Sequence, residues 1–281
     1  MRLLITGGSG FLGKRIVSCY QGRHECIVPS HEHLDITDET GCMKALEAFA
    51  PDCVIHTAAV SNTGICEKYP EESYRINVAG TIHLAKACAA AGSRLIFMSS
   101  DQVYSGSNKT GPNCETDDCC PVNVYGRHKL EAEQRIREIL ADGIVLRLSW
   151  MYDHPASDPA QKSNFLSTIM DAVSHKNRIS FSDQDYRGIT YVKEVIRNLE
   201  TVFCIPGGIY NFGSDSTESV CQLARQILAM LGADGQTDAL LGIRADSKPR
   251  NLRMDRQRQD CLGICFSSNR EGIRACLDDY L

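Results

Sequence analysis

The sequence predicts an α/β fold: a doubly wound parallel sheet followed by a smaller, mixed C-terminal part. Three observations predict it. Short apolar runs alternate with amphipathic stretches through the first half, a glycine-rich turn joins the first run to the first such stretch, and the alternation stops after Trp150. Strands alternating with helices of this length build a parallel sheet covered on both faces, and right-handed crossovers make it doubly wound.

RLLIT, at residues 2–6, is an apolar run ending in glycines, and Phe11 to Tyr20 is the amphipathic stretch after it. ECIVP reads as a second strand. CMKALEAFAPD reads as a helix stopped by Pro51, since proline lacks the N–H that a continuing helix needs. CVIHTAA is a third strand, a helix follows over about Tyr74 to Ala91, and RLIFMSS is a fourth strand. Pro121 precedes the helix that opens with VYGRHK, and GIVLRLSW is a fifth strand. Beyond it, DHPASDPAQKSN reads as a loop, while FLSTIMDAVSH, VCQLARQILAML and REGIRACLDDYL read as helical segments. The expected division is a nucleotide-binding part over 1–150 and a part over 151–281, interleaved with the sheet, that closes over the strand ends.

Whole-chain properties narrow the function classes. A net charge of −5 argues against broad nucleic-acid binding, which needs a basic face to neutralise phosphates. No apolar stretch approaches the length that crosses a bilayer, and Met1 runs directly into the first strand, leaving no room for a signal peptide. The cytoplasm is the expected compartment. Fourteen cysteines form no C-x-x-C pair; there is the adjacent Cys119-Cys120 and the loose Cys261-x-x-x-Cys265. Most of the others, Cys19, Cys26, Cys53, Cys88, Cys204 and Cys221 among them, sit in apolar runs and read as reduced, small hydrophobes.

The chemistry concentrates in three places. TGGSGFLG sets Gly7, Gly10 and Gly13 between the first strand and first helix, with Phe11 and Leu12 opening that helix. Glycines there permit a tight turn and close approach by a pyrophosphate, to which the helix N-terminus offers free N–H groups. Asp35, beside Ile36, reads either as a contact at an adenine rim or as a helix N-terminal cap. The second strand ends in Pro29-Ser30-His31, without the carboxylate that would hold a ribose 2′-hydroxyl. Ser99 and Ser100 close the fourth strand, at the carboxyl edge where such sheets hold ligands. Tyr125 and Lys129 stand one helical turn apart on one face, where a lysine cation would favour the phenolate and lower the phenol pKa.

In this order, the motifs make the chain similar to the extended short-chain dehydrogenase/reductases, in their nucleotide-sugar-modifying branch. Within that branch it resembles the dTDP-4-dehydrorhamnose reductase family, of the RmlD substrate-binding type, nearly end to end. GGSGFLG, PDCVIHTAA, YRINVAGT, SSDQVYSG, PVNVYGRHKLEAE, LRLSWMY, ITYVKEV and KPRNLRMD carry the likeness. The resemblance implies a Rossmann fold with NADP or NAD as cofactor and a keto nucleotide-sugar as substrate. It makes Tyr125 the acid/base, Lys129 its partner and the holder of the nicotinamide ribose, and Ser100 the donor to the reacting oxygen, with Ser99 adjacent. It places Ala58 and Ala59 in the cofactor cleft and Asp101, Trp150 and Arg187 at the substrate, Trp150 reading equally as core packing. A homodimer is the expected assembly, without nucleic acid or membrane.

Two departures stand out. Asp101-Gln102-Val103-Tyr104 replaces the family's usual Asp-Tyr-Val-Phe, which leaves the sugar open. Arg15 stands where these reductases tend to carry a glutamate used in a magnesium-linked dimer, so no such metal site is expected. Two other readings share the motifs: an epimerase or dehydratase of the same superfamily, and a non-catalytic cofactor-binding subunit like the methionine adenosyltransferase β-subunit.

Overall fold

The computed structural model describes residues 1–157, 163–246 and 248–280. In chain order the elements are β1 (Arg2–Thr6), α1 (Phe11–Tyr20), β2 (Glu25–Ile27), α2 (Glu39–Phe49), β3 (Cys53–His56), α3 (Thr63–Lys68), α4 (Pro70–Tyr74), α5 (Gly80–Ala91), β4 (Arg94–Ser100), α6 (Val124–Ile139) and β5 (Ile144–Leu148). They continue as β6 (Trp150–Tyr152), α7 (Phe165–His175), β7 (Ile179–Ser182), β8 (Asp185–Tyr186), β9 (Ile189–Tyr191), α8 (Val192–Val202) and β10 (Gly208–Phe212). The last are α9 (Val220–Met230), α10 (Thr237–Leu240), β11 (Leu241–Arg244), β12 (Arg250–Asn251), α11 (Gln257–Cys261) and α12 (Asn269–Asp278).

The chain forms two compact units, one of residues 1–105, 118–147 and 203–210, the other of 106–117, 148–202 and 211–281. Residues 106–117 and 203–210 therefore fall on the opposite sides of a simple division at residue 150.

The first unit holds a six-stranded sheet in the order β10-β5-β4-β3-β1-β2, with β1 parallel to β2 and β3, and β3 parallel to β4. This is the doubly wound, Rossmann-like sheet expected. β3 and β5 are buried at every position, and β1 and β4 at every position but the first, as expected of strands covered on both faces. Leu4, Val54, Leu95, Phe97 and Val145 point to one face, where Leu46 of α2, Leu84 and Cys88 of α5, and Ile136 of α6 meet them. The crossover from β1 to β2 runs the other way along the sheet, so right-handedness puts α1 on the opposite face, burying Ile16 and Tyr20. The chain thus reverses direction between β1 and β3, the position at which such sheets bind ligands.

Several boundaries differ from expectation. The strand read in CVIHTAA stops at His56, because the next residues turn away to meet the glycine turn. The helix expected from Tyr74 begins at Pro70, a favoured first helical residue, and widens into a π-helical turn at Arg75–Ala79 before α5. The sixth strand, β10, comes from GIYNF, a run that alternation through the first half did not reveal.

The second unit contains three two-stranded parallel pairs, β11–β7, β12–β8 and β6–β9. Helix α9 buries Val220, Leu223, Ala224, Ile227 and Leu228, one apolar stripe at helical spacing. Reciprocal capping boxes start α7 (Asn164 with Ser167), α9 (Ser219 with Gln222) and α12 (Ser268 with Glu271). The loop expected at 153–164 lies partly, over 158–162, outside the described residues.

The cysteines are free. Cys42, Cys53, Cys66, Cys88, Cys221 and Cys276 are buried, but Cys19 and Cys204, expected in the core, are exposed. Cys19 lies on the outer side of α1, while Ile16 and Tyr20 take the core side. Among the described residues no cluster of three or more His, Cys, Asp or Glu side chains is placed to hold a metal, and no helix is long and apolar enough to cross a membrane.

Candidate active site

Gly7 has φ +68°, a conformation L side chains rarely adopt, and a Cβ there would lie 2.6 Å from the Ala58 nitrogen. The turn after β1 and the end of β3 are thus in close contact, bringing Ala58 beside Gly7. Gly13 is equally confined, since a Cβ would stand 2.2 Å from the Gly7 carbonyl oxygen. Gly10 differs: it is exposed, in ordinary extended geometry, and a Cβ would approach nothing nearer than the Gly7 oxygen at 3.2 Å. It precedes α1 without a side-chain cap, so the first N–H groups of the helix face a clear, glycine-lined cradle. That surface fits a pyrophosphate. Of the two non-glycine residues, Phe11 is half-buried while the Leu12 side chain belongs to the core.

Helix α6 carries Tyr125, Lys129 and Glu133 along one buried stripe at i, i+4 and i+8. The last three residues of β4 meet that stripe in turn. The Ser100 hydroxyl bonds the Tyr125 phenol, the Met98 carbonyl accepts from Lys129 Nζ at 2.7 Å, and the Ser99 hydroxyl donates to Glu133. Asn123 caps the helix through the Gly126 N–H, and its own amide donates to Gln102 Oε1 at 2.9 Å. Gly126 allows this closeness, because a Cβ would lie 2.5 Å from the Gln102 carbonyl oxygen. The residue standing where the family usually has a tyrosine therefore clasps the start of α6.

The electrostatics correct one expectation. Burial first, then the negative Asp101, pushes the Tyr125 phenol well above its ordinary value, with the Ser100 hydrogen bond opposing. Lys129 does not pull it down. Its ammonium lies 5.7 Å from the Tyr125 ring centroid and 4.5 Å from that of Phe97, bound to the Met98 carbonyl. Burial also lowers Lys129 itself, to about 8, against the opposing charge of Glu133. The phenol is a held proton at neutral pH.

The remaining expected residues separate. Asp35 is not a helix cap: its carboxylate accepts from the Thr37 N–H and hydroxyl, both at 2.8 Å, and Asp38 occupies the N-cap of α2. Ile36 is buried against Gly80. Ala59 is half-buried after β3. Ser99 is engaged by Glu133 and faces away from the phenol's partner, Ser100. Asp101 is buried in the first unit and accepts from Ser100 at 3.2 Å. Trp150 and Arg187 belong to the second unit, which brings them together, the guanidinium 4.9 Å from the indole centroid. Arg15 folds back on its own helix, donating to the Phe11 carbonyl at 2.7 Å.

Two buried polar groups escaped the sequence reading. Asn77, in the π-helical turn, both accepts from the Val60 N–H at 2.8 Å and donates to its carbonyl at 3.0 Å, pinning the segment after β3. Glu133 was legible as the next member of the Tyr125, Lys129 spacing.

Comparison with known proteins bears on what this site belongs to. The family model described as the RmlD substrate binding domain matches residues 1–281. The chain belongs to this family. Among curated relatives, a dTDP-4-dehydrorhamnose reductase of Streptomyces griseus is 28% identical over 275 residues, 94% of this chain and 88% of that one. Methionine adenosyltransferase 2 subunit beta of Bos taurus is also 28% identical, over 284 residues, 94% of this chain and 83% of that one. Among solved structures, dTDP-4-dehydrorhamnose reductase of Bacillus anthracis in complex with NADP superposes with a TM-score of 0.88. That match covers 100% of this chain and 99% of that one at 22% identity, a likeness of fold. As a member of the RmlD family, the chain shares an architecture that hosts both a reductase and a subunit of another enzyme, so the site must decide between them.

Proposed function

We propose that this protein is an NAD(P)H-dependent oxidoreductase that reduces a keto group on a nucleotide-linked sugar. The observation that carries the reading is the trio of Ser100, Tyr125 and Lys129, buried together in the same unit as the Gly7–Gly10–Gly13 cradle. The cradle and the N-terminus of α1 would hold the dinucleotide pyrophosphate, with Ala58 and Ala59 beside it and Lys129 at the nicotinamide ribose. When bound, the nicotinamide supplies a hydride to the carbonyl carbon.

The protein's own part is to receive the charge that develops on the carbonyl oxygen. Ser100 donates a hydrogen bond to that oxygen, and Tyr125 delivers the proton its buried phenol retains. The nearby Lys129 cation then favours the phenolate that remains, more strongly than in the resting site if it moves from the Met98 carbonyl toward the ribose. Asp101 in the first unit, and the Trp150–Arg187 pair in the second, are proposed as sugar contacts. The homodimer and the cytoplasmic location stand as expectations of the same reading.

The experiment follows NAD(P)H absorbance while a panel of 4-keto nucleotide-sugars is offered to the full chain. Stoichiometric oxidation with at least one member is expected. Tight dinucleotide binding without turnover on any of them would favour the second reading, a cofactor-binding regulatory subunit, which the likeness to methionine adenosyltransferase 2 subunit beta supports.

A further inference from the structure

Beneath the proposed reacting groups lies a second layer of buried charge. Arg147 of β5 grips Glu133, with its Nη2 2.7 Å from Oε2 and its Nε 3.1 Å from both carboxylate oxygens. Its Nη1 donates to the Tyr104 hydroxyl at 2.7 Å, and Ser99 donates to Glu133 from β4. All four residues are at most 3% exposed. Such a pair can be purely architectural, and replacing a buried ion pair by apolar groups often costs nothing. Its position argues for more. Glu133 stands one turn from Lys129 on the same face of α6, and is anchored to the residue between the two that hold Lys129 and Tyr125.

The groups that face Lys129 can be sorted by charge. Tyr125 on the same helix keeps its proton, Cys66 on α3 is raised by burial, and His56 on β3 is driven down to about 3. Phe97 and Met98 on β4 offer a ring and a carbonyl. At neutral pH this leaves Glu133 as the negative charge acting on Lys129, with the Arg147 cation held against that carboxylate. We propose that Glu133 is a positioning residue of the site: locked by Arg147 and Ser99, its carboxylate keeps Lys129 in place as a cation. The inference rests on the reading of Lys129 as the dinucleotide-holding group, and it assigns to the buried pair the task of keeping that group charged.

The test is an NMR titration of the Lys129 side chain, its signal identified by its loss in Lys129→Met. Removing the negative charge with Glu133→Gln disfavours the ammonium, so the midpoint should fall by about one pH unit or more, the size expected for charges one helical turn apart at an intermediate dielectric. Glu133→Asp keeps the charge and should stay close to the parent. If Arg147, left unpaired, prevents Glu133→Gln from folding, the double variant Glu133→Gln with Arg147→Met removes both charges, and its midpoint should still fall, though by less, because a neighbouring cation is lost together with the carboxylate. An unchanged midpoint after loss of the carboxylate overturns the proposal, as does an equal fall in Glu133→Asp, which would make packing the cause. NADPH titration of Lys129→Met separates the two readings. If Glu133 moves the Lys129 midpoint while NADPH binds Lys129→Met as tightly as the parent, the role of Glu133 stands and the cofactor role of Lys129 falls.

Discussion

The three glycines of the turn should come apart under mutation, because one guards a ligand surface and two guard the fold. Gly10 has φ −78° and ψ 175°, which alanine adopts without strain, and its new Cβ would meet one atom at 3.2 Å. Gly10→Ala should therefore change folding stability by no more than about 0.5 kcal/mol, the range of surface substitutions. The added methyl stands in front of the uncapped N–H groups of α1, however, so NADPH affinity should fall at least about tenfold, equal to about 1.4 kcal/mol. Gly13→Ala must displace backbone, with a Cβ 2.2 Å from the Gly7 oxygen and 2.8 Å from the Gly8 Cα. Overpacking of this kind costs about 1–3 kcal/mol. Gly7→Ala meets the Ala58 nitrogen at 2.6 Å and adds left-handed strain of about 1–2 kcal/mol. Urea unfolding of each variant, paired with calorimetric titration by NADPH, separates the terms. A Gly10→Ala protein that binds NADPH as tightly as the parent would refute the assignment of the cradle. A Gly13→Ala protein as stable as the parent would refute the packing argument.

Two other expectations follow from the buried groups. Tyr125→Phe keeps the ring packing and deletes the proton, so it should bind NADPH nearly as well and lose at least about 100-fold in kcat on any ketone the parent reduces; turnover near the parent rate would exclude the phenol as the acid. His56, held between the Thr6 and Thr81 hydroxyls at 2.7 and 3.0 Å, is lowered by burial, then by the Lys129 charge, to about 3. The unfolded chain takes up that proton below about pH 6.5 and the native state does not, so stability should fall as pH drops from about 6.5 toward 3, with a limiting slope of about 1.4 kcal/mol per pH unit. His128 and His154 are lowered by burial too and act in the same sense, so the diagnostic is a shallower slope in His56→Gln; urea midpoints at pH 6.5, 5.5 and 5.0 with equal slopes in both proteins would count against it.

Local signals in the chain determined five strands of the sheet, β1 to β5, the glycine turn and the Ser100, Tyr125, Lys129 order. Each is a short-range pattern, a strand-to-helix turn or an i, i+4 spacing, that has the same meaning wherever the rest of the chain lies. Glu133 was present in that spacing as well, and burial alone shows that it continues the stripe rather than facing solvent. What pairing and burial decided lay beyond local pattern. GIYNF became a strand of the sheet because its partner, β5, comes more than sixty residues earlier, and a strand of this kind is specified by its edge more than by its own residues. Cys19 and Cys204 sit in apolar runs yet lie at the surface, since a run does not say which side chains a helix turns outward, as at Cys19 of α1, or where the helix gives way to a turn, as at Cys204 after α8. The phenol's pKa is the sharpest case: spacing put a cation beside Tyr125, but a pKa sums desolvation and every neighbouring charge. Enclosure and Asp101 outweigh a lysine whose ammonium is drawn to the Met98 carbonyl, and that balance exists only once the helix has closed over the strand.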